Sequence, residues 1–253
     1  FRSKYVVESP GPLDEVARYI TMPEKPKAKG KLYSTSVSIR PALVFDYLFA
    51  GFVPYHELAL KSDVYGSGDV EGWDKISDYD MHQGTNLALL TASKKAKIPA
   101  KTTFDGMFVM DVQEVSDFYN RLKVGDLITK IDQKEFADTT EMQKYLSGKE
   151  VGQKVELTVL RDKKEKQISG KLILVKATKK PGIGMTLGSQ ISVTTTPKVK
   201  INVTDLGGPS AGLMFTLELY QEFTGKSLAG GKKIAGTGTI DENGKVGIIG
   251  GGD

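Results

Sequence analysis

The chain has 253 residues, 39% of them hydrophobic, and sets 35 basic against 31 acidic side chains for a net charge of +4. That length and apolar content suffice for two modest cores, and so mild a charge, with no basic block interleaved with aromatics, argues against a nucleic-acid partner. Cysteine is absent and the only histidines are His56 and His82, so no disulfide framework, thiolate site or histidine-rich zinc site exists, and no metal is expected.

Tyr5 to Pro12 reads as an extended piece ending in a Pro-Gly turn. Leu13, Val16, Ala17 and Ile20 then recur at helical spacing and predict a helix. Pro23 to Lys31, with two prolines and three lysines before its closing Gly30-Lys31, is a surface loop whose charge serves solvation. Tyr33, Thr35, Val37 and Ile39 alternate as a strand. The longest apolar run, Ala42 to Val53, is ~12 residues and contains Asp46, whereas a membrane span needs ~20, so it reads as a buried core helix. Asp63 to Asp80 is rich in Gly and Asp. Its acidic residues do not fall at EF-hand spacing, so they read as solvated turns. Met81 to Lys97 is a helix with Leu87, Leu90 and several alanines inward, stopped by Pro99; His82, near its start, reads as a surface or capping residue.

From Gly106 the texture changes. Gly106-Met107-Phe108-Val109-Met110-Asp111-Val112 is a strand entered through glycine, and Leu122 to Ile131 turns into a second. Asp138-Thr139-Thr140-Glu141 has capping-box spacing before a short helix to Leu146, and Val155 to Leu160 and Gln167 to Leu174 make closing strands. Over about Phe104 to Val175 the chain resembles a bacterial PDZ domain. The resemblance implies that backbone N–H groups of Gly106, Met107, Phe108 and Val109 receive a peptide carboxylate, with Met142 and Leu146 lining the side-chain pocket. The same residues also fit a small β-rich module whose groove is filled by its own neighbours.

Strand signal returns at Ile183 to Leu187 and Val199 to Val203 and leads into Leu206-Gly207-Gly208-Pro209-Ser210-Ala211-Gly212. Glycine and proline force a turn, and Leu213, Met214 and Leu217 begin an amphipathic helix that Gly225 stops, so Ser210 stands at a helix N-terminus. There Ser210 fits two roles: an N-cap, or a nucleophile whose oxyanion is received by unpaired N–H groups around Pro209 and Ala211. Ile234 to Ile240, a turn at Asp241-Glu242-Asn243-Gly244, and Lys245 to Gly251 follow as a hairpin.

In order and spacing, Gly207 to Gly251 resembles the proteolytic domain of Lon-type serine-lysine proteases. The whole chain is similar to the PDZ-containing, membrane-anchored Lon-like proteases of Gram-positive bacteria. That implies an α+β fold of mixed sheets with flanking helices: residues 1–30 following a membrane anchor, a discontinuous proteolytic domain over 31–103 and 177–253, and a PDZ domain inserted at 104–176. By the same resemblance Ser210 is the nucleophile, Thr237 orients the dyad lysine, and that lysine falls two positions beyond Asp253. Taken alone, Thr237 also reads as an ordinary strand threonine, and Lys245 as an exposed residue beside a turn. Gly225-Lys226-Ser227 ends like a phosphate loop, but Tyr220 stands where its first glycine belongs, so neither nucleotide nor other cofactor is expected. The implied function is an ATP-independent endopeptidase on the outer face of the cell membrane. Its implied substrates are secreted peptides or unstructured segments, including signalling peptides. The alternative is a PDZ-bearing peptide-binding scaffold with an inactive protease fold.

Overall fold

The computed structural model describes residues 3–24, 28–49, 52–65, 70–247 and 249. In chain order the elements are β1 (Tyr5–Glu15), a 3-10 turn (Val16–Tyr19), β2 (Ile20–Thr21), β3 (Lys31–Pro41), α1 (Val44–Phe49), β4 (Glu57–Leu60), α2 (Lys61–Tyr65) and α3 (Val70–Ala96). There follow β5 (Ala100–Val112), β6 (Leu127–Ile131), α4 (Thr139–Ser147), β7 (Lys154–Arg161), β8 (Lys164–Lys171), β9 (Ile173–Val175), β10 (Lys180–Gly182) and β11 (Met185–Thr195). The chain closes with β12 (Lys200–Ile201), a 3-10 turn (Pro209–Ala211), α5 (Gly212–Thr224), β13 (Lys233–Gly236), β14 (Thr239–Ile240) and β15 (Val246–Gly247). Two compact units result, one of Phe1–Lys101 with Val193–Asp253 and one of Thr102–Ser192.

The first unit is built on a sheet of order β13-β3-β1-β4. β1 and β3 run antiparallel from Val6↔Pro41 to Glu15↔Tyr33, with a register shift between Pro10 and Leu13. Pro-Gly therefore makes a bulge inside one long strand instead of ending it, because Gly11 lies so close to Ser36 that a Cβ there would overlap its backbone. The predicted helix over 13–20 is corrected by the same pairing. Leu13, Asp14 and Glu15 each find a partner on β3, and only Val16–Tyr19 makes a helical turn. β13 adds to β3 in parallel only as far as Gly236↔Ser34.

α3 is far longer than its predicted Met81 start. The Asp-rich stretch from Val70 is helical, with Trp73, Ile76 and Tyr79 turned at least partly inward and Glu71, Asp74 and Asp78 exposed. Ala88, Leu89 and Ala92 of α3 pack against α5, which contributes Met214, Phe215 and Leu219, all at most 3% exposed. Each large side chain so buried contributes about 2–3 kcal/mol of apolar transfer free energy.

α1 corrects the buried-helix expectation for Ala42 to Val53. It buries no side chain; Phe45 is 71% exposed and Leu48 64%. It forms because Asp46 accepts the Leu43 N–H at 2.6 Å and both guanidinium N–H groups of Arg40 at 2.7 and 2.6 Å. The Arg40 guanidinium, then the Leu43 N–H, hold the Asp46 carboxyl down to about 2. Among the described residues no helix is long and apolar enough to cross a membrane.

The second unit carries a five-stranded sheet of order β11-β5-β6-β7-β8 and a β9-β10 ribbon. Its core gathers Met107, Val109, Phe118, Leu122, Ile128, Ile131, Met142, Leu146, Val155, Leu157, Val159, Leu172 and Ile183. α4 opens as its sequence demands: Asp138 Oδ1 accepts the Glu141 N–H at 2.8 Å, and the Glu141 carboxylate reaches back to the Ala137 N–H at 2.9 Å. Asp126, fully buried, is clasped by Arg161 at 2.6 Å through each carboxylate oxygen and accepts the Lys123 N–H at 2.9 Å. This unit closes later than the 104–176 range read from sequence, because β11 pairs beside β5 and so belongs to its sheet.

Candidate functional site

Ser210 sits in the 3-10 turn that opens α5, on a backbone held from two sides. From below, Gly208 at φ 78 donates its N–H to Ser77 O of α3 at 2.9 Å. About two turns further along α3, Pro209 rests on Gly84, where a Cβ would stand in ordinary contact, 3.5 Å from the Pro209 carbonyl oxygen. From the other side, the Gly238 N–H and the Thr237 hydroxyl both donate to Ser210 O, at 2.7 and 3.1 Å, and Leu213 N–H returns a bond to Gly238 O at 2.9 Å. The structure thus brings Thr237 to Ser210, through the serine's backbone. Gly212 is glycine for a local reason: a Cβ would stand 3.0 Å from Ile240 Cγ2 and 3.1 Å from its nitrogen.

Pro209 has no N–H and the Ala211 N–H is the first i→i−3 donor of the 3-10 turn, so within this turn the Ser210 N–H is the one that no preceding residue of the helix accepts. The Ser210 N–H is a donor of the kind suited to an oxyanion. Ser210 is half-buried, and among the described residues its hydroxyl makes no hydrogen bond. It lines a cavity of about 700 Å³ together with Thr237, Trp73, Ser77, Asp14 and Asp205. A second recess of about 650 Å³ shares Trp73, Ser77, Asp205 and Gly207 with it, so the two run together along the β3 face. Lys245 is exposed, its N–H bonded to Asp241 at 2.7 Å across the predicted Asp241–Gly244 turn, and it does not line this cavity. His82 is exposed on α3. The predicted hairpin is realised as β14 against β15, Ile240↔Val246; Ile248 and Gly250 to Asp253 lie outside the described residues.

Sequence reasoning missed Asp14 and Tyr19, because the stretch that holds them read as a helix. Tyr19 donates its hydroxyl to Asp14 Oδ1 at 3.0 Å. Burial, then that bond, push the Tyr19 hydroxyl above its ordinary range. It missed Gly84 and Ser77 as supports too. The only available signal was an unexplained glycine inside a helix.

In the second unit, Met107 and Val109 are core residues, Phe108 is 7% exposed, and Met142 and Leu146 join the same cluster. Gly106 at φ 144 fits against Ile128, where a Cβ would strike the carbonyl. The expectation that Gly106 to Val109 offers free N–H groups to a ligand is corrected here: β5 has a strand on each side, β6 and β11. The Val109 N–H goes to Asp126 O at 2.8 Å, and Gln113 N–H to Gly184 O at 3.0 Å ties β5 to the chain entering β11. The outer strand is β11, entered through Ile183 and Gly184 at φ 75, with Met185 and Leu187 packed on the cluster that holds Met142 and Leu146. α4 lies beside β10.

A small sheet whose edge strand β11 and whose helix α4 pack into the same core is the build of a domain that takes a peptide as an added strand. The particular family follows from comparison: residues 82–172 match the PDZ domain family, so the chain contains a PDZ domain. The chain is similar to the PDZ domain of the SdrC-like protein from Listeria monocytogenes, at 37% identity over 34% of this chain and 92% of that one, TM-score 0.33. The PDZ domain of the SdrC-like protein from Listeria innocua is 32% identical, over 34% of this chain and 97% of that one, TM-score 0.33. A solution structure from Geobacillus thermodenitrificans is 28% identical, over 32% of this chain and 95% of that one, TM-score 0.30. No curated protein matches the chain.

Proposed function

We propose that the protein is an ATP-independent serine endopeptidase of the Lon type, whose PDZ domain captures extended peptides for an active site at Ser210. The observation that carries this reading is the setting of Ser210. It lines a cavity of about 700 Å³ at the opening turn of α5, with its own N–H in the first turn of the 3-10 segment and its backbone clamped by Thr237 and Gly238. A nucleophile needs this combination of access, fixed position and an oxyanion donor. The base is the lysine that the resemblance sets beyond Asp253, deprotonated through burial. In the PDZ domain the peptide adds to the outer edge of β11, its carboxylate toward the turn at Gly182 to Met185, and its side chains toward Met142 and Leu146. By the same resemblance the protein works on the outer face of the cell membrane behind an N-terminal anchor. Proteolytic shaving of whole cells, which would remove an outward-facing protein and spare an inward one, tests that placement.

The test of the activity uses a protein extended past Asp253, with and without Ser210→Ala, incubated with unstructured peptides and followed by mass spectrometry. Cleavage that disappears in the variant is expected. Equal cleavage by both rejects Ser210 as nucleophile. Peptide retention without cleavage by either favours a binding scaffold.

A further inference from the structure

Resting on the reading of the protein as held to a membrane at its N-terminal end, we propose that α1 and the residues just after it lie in the surface of that bilayer. A helix on the surface of a water-soluble domain turns its apolar side inward and its charges outward. In α1 the order is inverted. Val44, Phe45, Leu48 and Phe49 fall on one side of the helix, and each is more than half exposed. Asp46 and Tyr47 fall on the other side and turn to the protein. Asp46 holds the Arg40 guanidinium, while the Tyr47 hydroxyl meets that of Ser3 at 2.6 Å and its ring stands edge-on to Tyr5 at 5.7 Å. Phe52 and Tyr55, each 83% exposed, extend the apolar surface past the helix. Of the 21 large apolar side chains exposed among the described residues, nine lie between Leu43 and Tyr55. Such a concentration marks a surface that meets another apolar phase.

Two observations make that phase a lipid bilayer. The first is place. The Ala42 N–H donates to Tyr5 O at 3.1 Å and Tyr47 holds Ser3 and Tyr5, so α1 is fixed to the start of β1. An anchor leading into Ser3 therefore brings α1 to the membrane surface with it. The second is chemistry. Aromatic side chains among aliphatic ones, with basic residues beside them, suit the boundary between acyl chains and headgroups. Phe45, Tyr47, Phe49, Phe52 and Tyr55 supply the aromatics. Lys4 and Lys61 supply the basic groups at the end of the sheet where Tyr5 pairs with Leu60, the Lys61 N–H donating to Lys4 O at 2.9 Å. The acids between Arg40 and Lys61 are Asp46, whose charge Arg40 matches, and Glu57, at the opposite end of β4.

The purified 253-residue chain, in which no described helix can span a membrane, is sedimented with vesicles of equimolar phosphatidylcholine and phosphatidylglycerol. It should partition onto them, and Phe45→Ser together with Phe52→Ser should lower that partition about tenfold or more. Both side chains are exposed, so removing them opens no cavity in a core. Val115→Ser, which removes a side chain as exposed as Phe45 from the other unit, should change nothing. A chain that stays off the vesicles, or whose binding survives the double substitution, overturns the proposal. An equal loss in Val115→Ser overturns it too. So does self-association, read by sedimentation velocity, that the double substitution abolishes in a chain the vesicles do not hold; that result gives the surface to a second copy. Any of these failures leaves the anchored reading to the shaving of whole cells. A protein that shaving spares, yet whose α1 binds vesicles, loses only its placement on the outer face.

Discussion

Replacing Gly84 tests whether α3 sets the position of the serine turn, and two substitutions should move stability in opposite directions. A Cβ at Gly84 meets Pro209 O at 3.5 Å and Pro209 Cα at 3.6 Å, ordinary contact distances, so Gly84→Ala fits without movement. Relieving a helix interior of glycine should then stabilise the first unit by about 0.5–1 kcal/mol. Valine is different. Its two γ-carbons occupy two of the three staggered positions around Cα–Cβ, and rotation does not clear both from the Pro209 backbone. Overpacking of this kind costs about 1–3 kcal/mol, so Gly84→Val should destabilise. The alanine and valine variants should differ by about 1.5–4 kcal/mol, of which intrinsic helix propensity explains at most about 0.7 kcal/mol. Trp73 lies on α3 and the second unit has no tryptophan, so its fluorescence during urea unfolding follows the first unit alone. A valine variant as stable as the alanine one would refute the claim that Pro209 rests on Gly84.

Arg161→Met should destabilise the PDZ domain by about 3 kcal/mol, because it strands the Asp126 carboxylate, 0% exposed, with only the Lys123 N–H. Circular dichroism during unfolding checks this, and adding Asp126→Asn should recover part of the loss. Asp80, half-buried on α3, has its carboxyl raised above 3.8 by burial, so its contribution is fully present below 3.8 and is lost as pH rises through the elevated value. Asp80→Asn should therefore raise the melting temperature at pH 7, by an amount that shrinks as pH approaches 3.8. An unchanged difference across that range would mean the carboxyl is not penalised by burial.

What the sequence made legible is what local chemistry decides. Gly207-Gly208-Pro209 before an amphipathic run gives the turn and helix around Ser210, Gly225 ends that helix at φ 68, and Asp138 caps α4. What it hid depends on partners distant in the chain. Leu13, Val16 and Ile20 have helical spacing, yet β3 is present to pair Leu13 through Glu15, and inter-strand bonding overrides the pattern. The charges of Asp74 and Asp78 made a loop of what is the exposed side of α3. Nothing in Ala42 to Val53 reveals that α1 buries no side chain. In the PDZ domain, Gly106-Met107-Phe108-Val109 and Gly182-Ile183-Gly184-Met185 are both glycine-entered apolar segments, and only strand order tells which has the open edge.

The most direct measurement is to trap the acyl-enzyme. A protein extended past Asp253, mixed with an activated peptide ester and quenched in acid, is digested and its modified residue located by mass spectrometry. The account predicts a single acyl adduct on the peptide containing Ser210, formed faster as pH rises toward the lysine's depressed pKa and absent from Ser210→Ala. Peptide hydrolysis with the adduct on another residue, or undiminished in Ser210→Ala, would contradict it.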